Sequence, residues 1–144
     1  MSGIVCAVRG GPESQPTINK SINLSIEKNL PLYFIYIVNL DFLSHTSGSR
    51  TQVVTEELRE MGEFILFLAE EKAKKLGVNA KGVVLKGSVR EEIAKYCHEV
   101  KADFLVMGQP KLKKESNHFT EDSFNNFISL TEEQTGAKVV LAEK

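Results

Sequence analysis

Apolar residues follow two alternating patterns along the chain. Five short runs are almost continuously apolar and rich in strand-forming residues, which is typical of strands covered on both faces of a parallel sheet. These runs are residues 3–8, 32–38, 82–85, 103–107 and 138–142. In the intervals between them, apolar residues recur every three or four positions, which predicts one amphipathic helix in each interval.

The first two helices are predicted from their apolar spacing. One begins near Pro16, since proline suits a first helical turn, and buries Ile18, Ile22 and Ile26. The second is longer and ends at Gly77, because glycine suits the C-terminal cap of a helix. Its predicted buried stripe consists of Val54, Leu58, Met61, Ile65, Leu68 and Leu76.

The last two helices are predicted from their ends. Ser88 and Glu91 have the spacing of a capping box, so a helix is expected to follow Ser88. The fourth helix is predicted to begin near Ser123 and to end at Gly136. Strands and helices therefore alternate throughout, and this order predicts an α/β fold with a parallel sheet between two helix layers.

Length, charge and cysteine content narrow the class of protein. The 144 residues suit one domain, which we expect to span residues 1–144. A net charge of −1 favours neither nucleic acid nor anionic membrane as a partner. No signal peptide or membrane-spanning segment is evident, and Cys6 and Cys97 lie in apolar segments without a Cys-x-x-Cys motif. We therefore expect a cytoplasmic protein with two buried thiols.

The expected ligand site follows from the predicted sheet. Ligands of an open parallel sheet bind beyond the carboxyl ends of its strands, where the strand order reverses. This rule selects the loop after strand one, with Arg9 and Gly10, and the segment after strand four, beginning at Met107 and Gly108. Amides at the start of the last helix, near Ser123, would add a partial positive charge that attracts anions.

Catalytic and metal-binding motifs are missing from the sequence. Neither the Gly-x-Gly-x-x-Gly of a dinucleotide-dependent dehydrogenase nor the Gly-x-Ser-x-Gly elbow of a hydrolase is present. Arg9 and Lys86 occupy the places where a phosphoacceptor receiver domain needs acidic residues. His45, His98 and His118 do not have the spacing of metal ligands. The sequence therefore predicts a non-enzymatic protein without a metal site.

Three segments resemble the universal stress protein (UspA-like) family. They are "IVCAVRGG" near the amino end, "GSVREEIAKYCHEVKADFLVMG" at residues 87–108, and "TGAKVVLAEK" at the carboxyl end. The resemblance spans the whole chain and implies an adenine nucleotide alpha hydrolase-like fold, a three-layer sandwich with five parallel strands in the order 3-2-1-4-5. It also implies a role in stress response and homodimers paired through the last strand. An apolar sheet edge at Val139, Val140 and Leu141 would favour such pairing.

The nucleotide-binding motif of the family is only partly matched. Nucleotide-binding members carry Gly-x-x-Gly, nine residues, and then Gly-Ser or Gly-Thr, whose amides close on phosphates. Gly108 matches the first glycine and Lys111 replaces the second. The final pair is best matched by Asp122-Ser123, one residue further along than in the family, and only its hydroxyl residue, Ser123, is kept. Arg9 replaces the family's acidic residue near the nucleoside, and Val38 matches a contact to the base.

Three hypotheses for the ligand follow from this partial match. In the first, the degenerate loop leaves weak or no ATP binding. In the second, ATP or AMP binds and Lys111 supplies the phosphate contact that glycine amides make elsewhere. In the third, Arg9 and Lys111 together bind a different small anionic ligand.

Overall fold

The structure is a computed structural model that describes residues 3–9, 14–39, 48–108 and 117–142, with side chains from residue 53 in the second helix and from residue 125 in the fourth. Nine elements alternate along these residues. They are β1 (Ile4–Ala7), α1 (Gln15–Lys28), β2 (Leu32–Val38), α2 (Gly48–Lys75), β3 (Ala80–Lys86), α3 (Val89–Val100), β4 (Phe104–Gly108), α4 (Asn117–Thr135) and β5 (Lys138–Ala142). No described helix has both the length and the apolar character needed to cross a membrane.

The five strands form one parallel sheet, as the sequence pattern predicts, in the order β3-β2-β1-β4-β5 that the family resemblance implies. The central strand β1 pairs on both sides, with Ile4 opposite Leu32 of β2 and opposite Phe104 of β4. Strands β3 and β5 are the two edges. The strand order reverses between β1 and β4, so the carboxyl ends of these two strands border the crevice where this architecture binds ligands.

Two apolar cores lie on the two faces of the sheet. On one face, α1 and α2 pack against residues such as Cys6 and Phe34. On the other face, α3 and α4 pack against residues such as Val5 and Ile35. Phe34 and Ile35 are adjacent in β2 and both are fully buried, because successive side chains of a strand point to opposite faces. Each such side chain contributes about 1.5–3 kcal/mol to stability.

Helix α1 begins as predicted but turns one predicted core residue outward. It starts at Gln15 with a proline in its first turn. Ile18 and Ile22 are buried, whereas Ile26 is 54% exposed. A spacing of four residues drifts about 40° around a helix at each step, so a third residue in the series leaves the buried face. Ser25 is buried in its place, and its hydroxyl donates a hydrogen bond to the Leu30 carbonyl at 2.6 Å.

Helix α2 faces the sheet mainly with small residues, so half of its predicted buried stripe was wrong. Gly62, Leu66, Ala69 and Ala73 are buried. Three members of the predicted stripe are instead about half exposed, namely Met61, Leu68 and Leu76. The reason is steric. A β-carbon added at Gly62 would lie 2.5 Å from Cδ1 of the Tyr36 ring, so only a glycine allows the helix to approach β2 this closely.

Helices α3 and α4 differ from prediction at their starts. Helix α3 begins after Ser88 as expected, but the Ser88 side chain makes no capping hydrogen bond, and its carbonyl accepts from the Glu92 amide at 2.9 Å. Helix α4 begins at Asn117, six residues before the predicted start at Ser123. No glycine or proline lies between residues 117 and 135, so nothing in the sequence prevents this earlier start.

Candidate functional site

A cavity of about 420 Å³ opens at the carboxyl edge of the sheet, on the face covered by α3. Its walls come from the ends of β1, β2 and β4 and from the start of α3. The lining residues are Ala7, Val8, Arg9, Ile35, Tyr36, Ile37, Val89, Ile93, Met107 and Gly108. This is the position that the reversal of strand order predicts for a ligand. The volume lies within the range of small-molecule pockets, roughly 300–1,000 Å³.

The β1 and β2 walls are held in register by the backbone. The Val8 amide donates to the Ile35 carbonyl at 2.8 Å, which extends the β1–β2 pairing beyond the last residue of β1. Arg9 follows directly, is exposed, and lines the cavity. The site therefore presents a guanidinium group, which has five hydrogen-bond donors and no acceptor.

The α3 wall is positioned by a tight turn at Gly87. This glycine has a φ of +145°, which side-chain-bearing residues rarely adopt, and its amide donates to the Val38 carbonyl at 3.0 Å. A β-carbon there would also approach Cγ of Glu92 to 3.0 Å. The turn therefore ties the start of α3 to the end of β2, and it brings Val89 and Ile93 into the cavity wall.

At the end of β4, Gly108 allows α1 to lie close to the strand. A β-carbon at this position would lie 3.1 Å from the hydroxyl of Thr17, which is buried in the first turn of α1. The approach is tighter than most real β-carbon contacts, so a larger residue at this position would require the Thr17 hydroxyl to shift by a few tenths of an ångström. The glycine that sequence reasoning selected as a phosphate contact thus also has a packing role.

Three predicted site residues line the cavity together, namely Arg9, Met107 and Gly108. Val38 does not line it, although it is close in sequence to residues that do. Ile35, Tyr36 and Ile37 of β2 line the cavity, whereas Val38, the last residue of the strand, is buried with 3% exposure.

The remaining predicted site residues cannot be compared with the cavity. Gly10 and Lys111 lie outside the described residues. Ser123 lies inside α4, and its side chain is likewise outside the description. Because α4 begins at Asn117, the amide of Ser123 is not one of the free amides of the first helical turn, contrary to the prediction.

Sequence reasoning missed the apolar walls supplied by Ile35, Ile37, Val89 and Ile93. A signal for two of them was available. Val89 and Ile93 are four residues apart and directly follow the predicted helix start, so they lie on one face of the first helical turns at the carboxyl edge. Only the packing of α3 on the sheet shows that this face closes a cavity.

The described lining of the site consists of apolar walls and the cationic side chain of Arg9. The two cysteines are free and buried in the cores. Burial raises the pKa of the Cys6 thiol to about 12, against a smaller opposite effect of a hydrogen bond with Ser21, and burial raises the pKa of Cys97 to about 12. Both are therefore protonated and unreactive at neutral pH. Among the described residues, no three His, Cys, Asp or Glu side chains form a metal-binding group.

Both a family model and a curated relative place this chain in the same family. The family model described as the universal stress protein family matches residues 1–121. A universal stress protein of Methanocaldococcus jannaschii is 28% identical over 106 residues, which is 73% of this chain and 62% of the archaeal protein. The match therefore spans less than two thirds of the length of that relative.

Solved structures from this family share the fold over nearly the whole chain. The universal stress protein UspA from Lactobacillus plantarum has a TM-score of 0.75 at 13% identity, covering 98% of this chain and 97% of its own. A family protein from Arabidopsis thaliana with AMP bound has a TM-score of 0.63 at 15% identity, covering 100% and 92%.

Proposed function

Because this chain belongs to the universal stress protein family, we propose that it acts in stress response as a non-enzymatic domain with weak or no ATP binding. The observation that supports this proposal is Arg9 at the wall of the cavity. In nucleotide-binding members of the family, an acidic residue lies near the nucleoside at this place. A carboxylate accepts hydrogen bonds from nucleoside hydroxyl groups, whereas a guanidinium cannot accept any.

The altered loop supports the same proposal. Lys111 stands where the family's second glycine allows the backbone to close on phosphates, and Asp122 stands where the glycine of the final pair would be. A carboxylate beside the phosphate position opposes anion binding. These two changes and Arg9 all weaken regular contacts to ATP.

Replacing Arg9 with aspartate tests the proposal. An aspartate there would accept a charge-assisted hydrogen bond of about 1.5–3 kcal/mol, so affinity for AMP is expected to rise about tenfold or more. Isothermal titration calorimetry with AMP and with magnesium ATP measures this. Lys20→Asp is the matched control, because it makes the same change of charge at an exposed position of α1. Tight ATP binding by the parent protein, abolished by Arg9→Asp, would contradict the proposal.

A second candidate function is ATP or AMP binding in which lysines replace the loop glycines. The cavity volume of about 420 Å³ and its apolar walls favour it, since both suit the base and sugar of a nucleotide. The Arabidopsis family member carries AMP on the same fold. Retention of AMP or ATP by freshly purified protein, and its loss in Lys111→Ala, would support this candidate over the first.

Retention of another anion, lost in both Arg9→Asp and Lys111→Ala, would support a different small anionic ligand held by Arg9 and Lys111.

The proposal also covers the oligomeric state of the protein and its cellular compartment. The edge strand β5 carries the half-buried apolar side chains of Val139, Val140 and Leu141. Its Val139 amide donates to the Glu132 carboxylate at 2.9 Å, and among the described residues β5 has no strand partner on its outer side, so it can pair with a second copy there. We infer a homodimer through this strand. Two reduced, buried thiols are consistent with a protein of the cytoplasm.

A further inference from the structure

Helix α2 carries an exposed apolar stripe formed by Met61, Phe64, Phe67 and Leu68, hereafter the α2 stripe. These side chains are 52%, 62%, 54% and 52% exposed, respectively. They lie on the side of the helix opposite the buried small residues that face the sheet. Isolated exposed apolar residues are common in soluble proteins, but four adjacent ones on one helix face are typical of an interaction surface.

The α2 stripe is long enough to bind another helix. Taking roughly 200 Å² for each large side chain, the exposed fractions give about 440 Å² of apolar surface on one copy. Two such stripes packed together would bury about 880 Å², and the flanking polar side chains must supply the rest of the roughly 1,200 Å² that a small specific interface buries. An association of this size is expected to depend on protein concentration.

Opposite charges lie at the two ends of the α2 stripe. Glu57 and Lys75 are 18 residues apart, which is about five helical turns, so both lie on the same side of α2 as Phe64. Both are exposed, and neither has an ion-pair partner among the described residues. The neighbouring charge of Arg59 is different, because it is already paired with Glu56 at 3.6 Å and Glu63 at 3.2 Å.

The charged pair and the apolar pair share one centre. Glu57 and Lys75 are centred on position 66, and so are Phe64 and Leu68. A two-fold axis at that level would bring each residue of a pair opposite the other residue of the same pair. A parallel arrangement would instead set like charges against each other. The stripe is therefore self-complementary in the antiparallel orientation.

We propose that the α2 stripe is a second self-association surface, in which two copies pack their α2 helices antiparallel about this two-fold axis. Phe64 of each copy contacts Leu68 of the other, and Glu57 of each copy pairs with Lys75 of the other. This surface lies on a different element from β5 and is independent of the ligand proposal. The self-complementary charges favour a second copy of this chain over an unrelated partner.

Removal of one apolar side chain tests the surface. In sedimentation equilibrium over a range of concentrations, Phe64→Ser is expected to show a smaller limiting mass than the parent protein. Ile26→Ser is the matched control, since Ile26 is 54% exposed, close to the 62% of Phe64, but lies on α1, and it should keep the parent mass. Any pairing through β5 is common to all three proteins. Equal masses for the parent and Phe64→Ser would overturn the proposal.

A charge exchange tests the antiparallel register. Glu57→Lys and Lys75→Glu each place like charges together twice in the interface, so each should weaken association about tenfold at low salt. The double variant Glu57→Lys/Lys75→Glu restores opposite charges and should return to within about threefold of the parent. A double variant as weak as the single variants would rule out this register. Equal melting temperatures would show that all variants are folded.

Discussion

Replacing Gly62 with alanine should destabilise the protein, although alanine is the better helix former. Gly62 lies in α2 directly over the ring of Tyr36 in β2. A β-carbon on Gly62 would lie 2.5 Å from Cδ1 and 3.0 Å from Cε1 of that ring, well inside normal carbon contact distances of about 3.5–4.0 Å. Either the ring or the helix must move by about 1 Å to accommodate it.

Two opposing effects set the magnitude for Gly62→Ala. Alanine in place of glycine in a helix interior contributes about 0.8–1.0 kcal/mol of stability. Overpacking of this kind costs about 1–3 kcal/mol, and Cγ of the ring, which is held one carbon from the β2 backbone, would also lie 3.1 Å from the new β-carbon. The net expectation is a loss of about 1 kcal/mol in the free energy of unfolding. For a chain of this length, that lowers the melting temperature by about 3–4 °C.

Urea unfolding of four proteins separates these effects. The parent, Gly62→Ala, Tyr36→Ala and the double variant form a thermodynamic cycle. In the Tyr36→Ala background the clash is gone, so Gly62→Ala should become stabilising by about 0.5–1 kcal/mol. The expected result is thus a change of sign between the two backgrounds. If Gly62→Ala stabilises the parent protein as much as it stabilises Tyr36→Ala, the close packing of α2 on β2 is not the reason for the glycine.

Two further predictions concern pH and a helix end. Burial raises the pKa of Cys6 and Cys97 from 9.0 to about 12, so just above pH 9 these thiols ionise only in the unfolded protein. The free energy of unfolding is therefore unaffected below pH 9 and falls between about pH 9 and 12. Urea midpoints between about pH 7 and 10.5 measure the fall, and Cys97→Ala should make it shallower; an unchanged slope would contradict the assignment. Lys101 ends α3 in the left-handed conformation (φ 55°, ψ 52°), so Lys101→Gly should raise the free energy of unfolding by about 0.5–1 kcal/mol. The control Lys95→Gly, inside the same helix, should lower it by about 1 kcal/mol, and a loss at both positions would refute the argument.

The strand pattern predicted the fold because buried parallel strands exclude polar residues almost completely. Strand β2 is the clearest case, since it lies between two neighbours and between two helix layers, and its predicted and observed limits, residues 32–38, agree. The edge strand β3 was predicted too short, as residues 82–85, whereas it spans Ala80–Lys86. A sheet edge tolerates exposed residues such as Lys81, so apolarity alone does not mark its ends.

The sequence predicted where the candidate site lies better than it predicted which residues line it. Arg9, Met107 and Gly108 follow from the rule that ligands bind at the carboxyl ends of strands, and all three line the cavity. The contribution of α3 could not be read in the same way, because it depends on the turn at Gly87. A glycine after a strand predicts a turn, but not which helix face the turn directs toward the sheet.

The exposure of the α2 stripe has the same origin as the error in predicting the buried face of α2. A search for large apolar residues at helical spacing selects Met61 and Leu68, because it assumes that the largest side chains face the core. Here the large ring of Tyr36 projects from the sheet toward α2, and the helix has Gly62 and other small residues on the side that contacts it. With small residues sufficient to fill the contact to the sheet, the large apolar side chains are not needed there for stability. Their presence on the outer face therefore requires a separate reason, and pairing with a second α2 stripe provides one that the charge exchange can test.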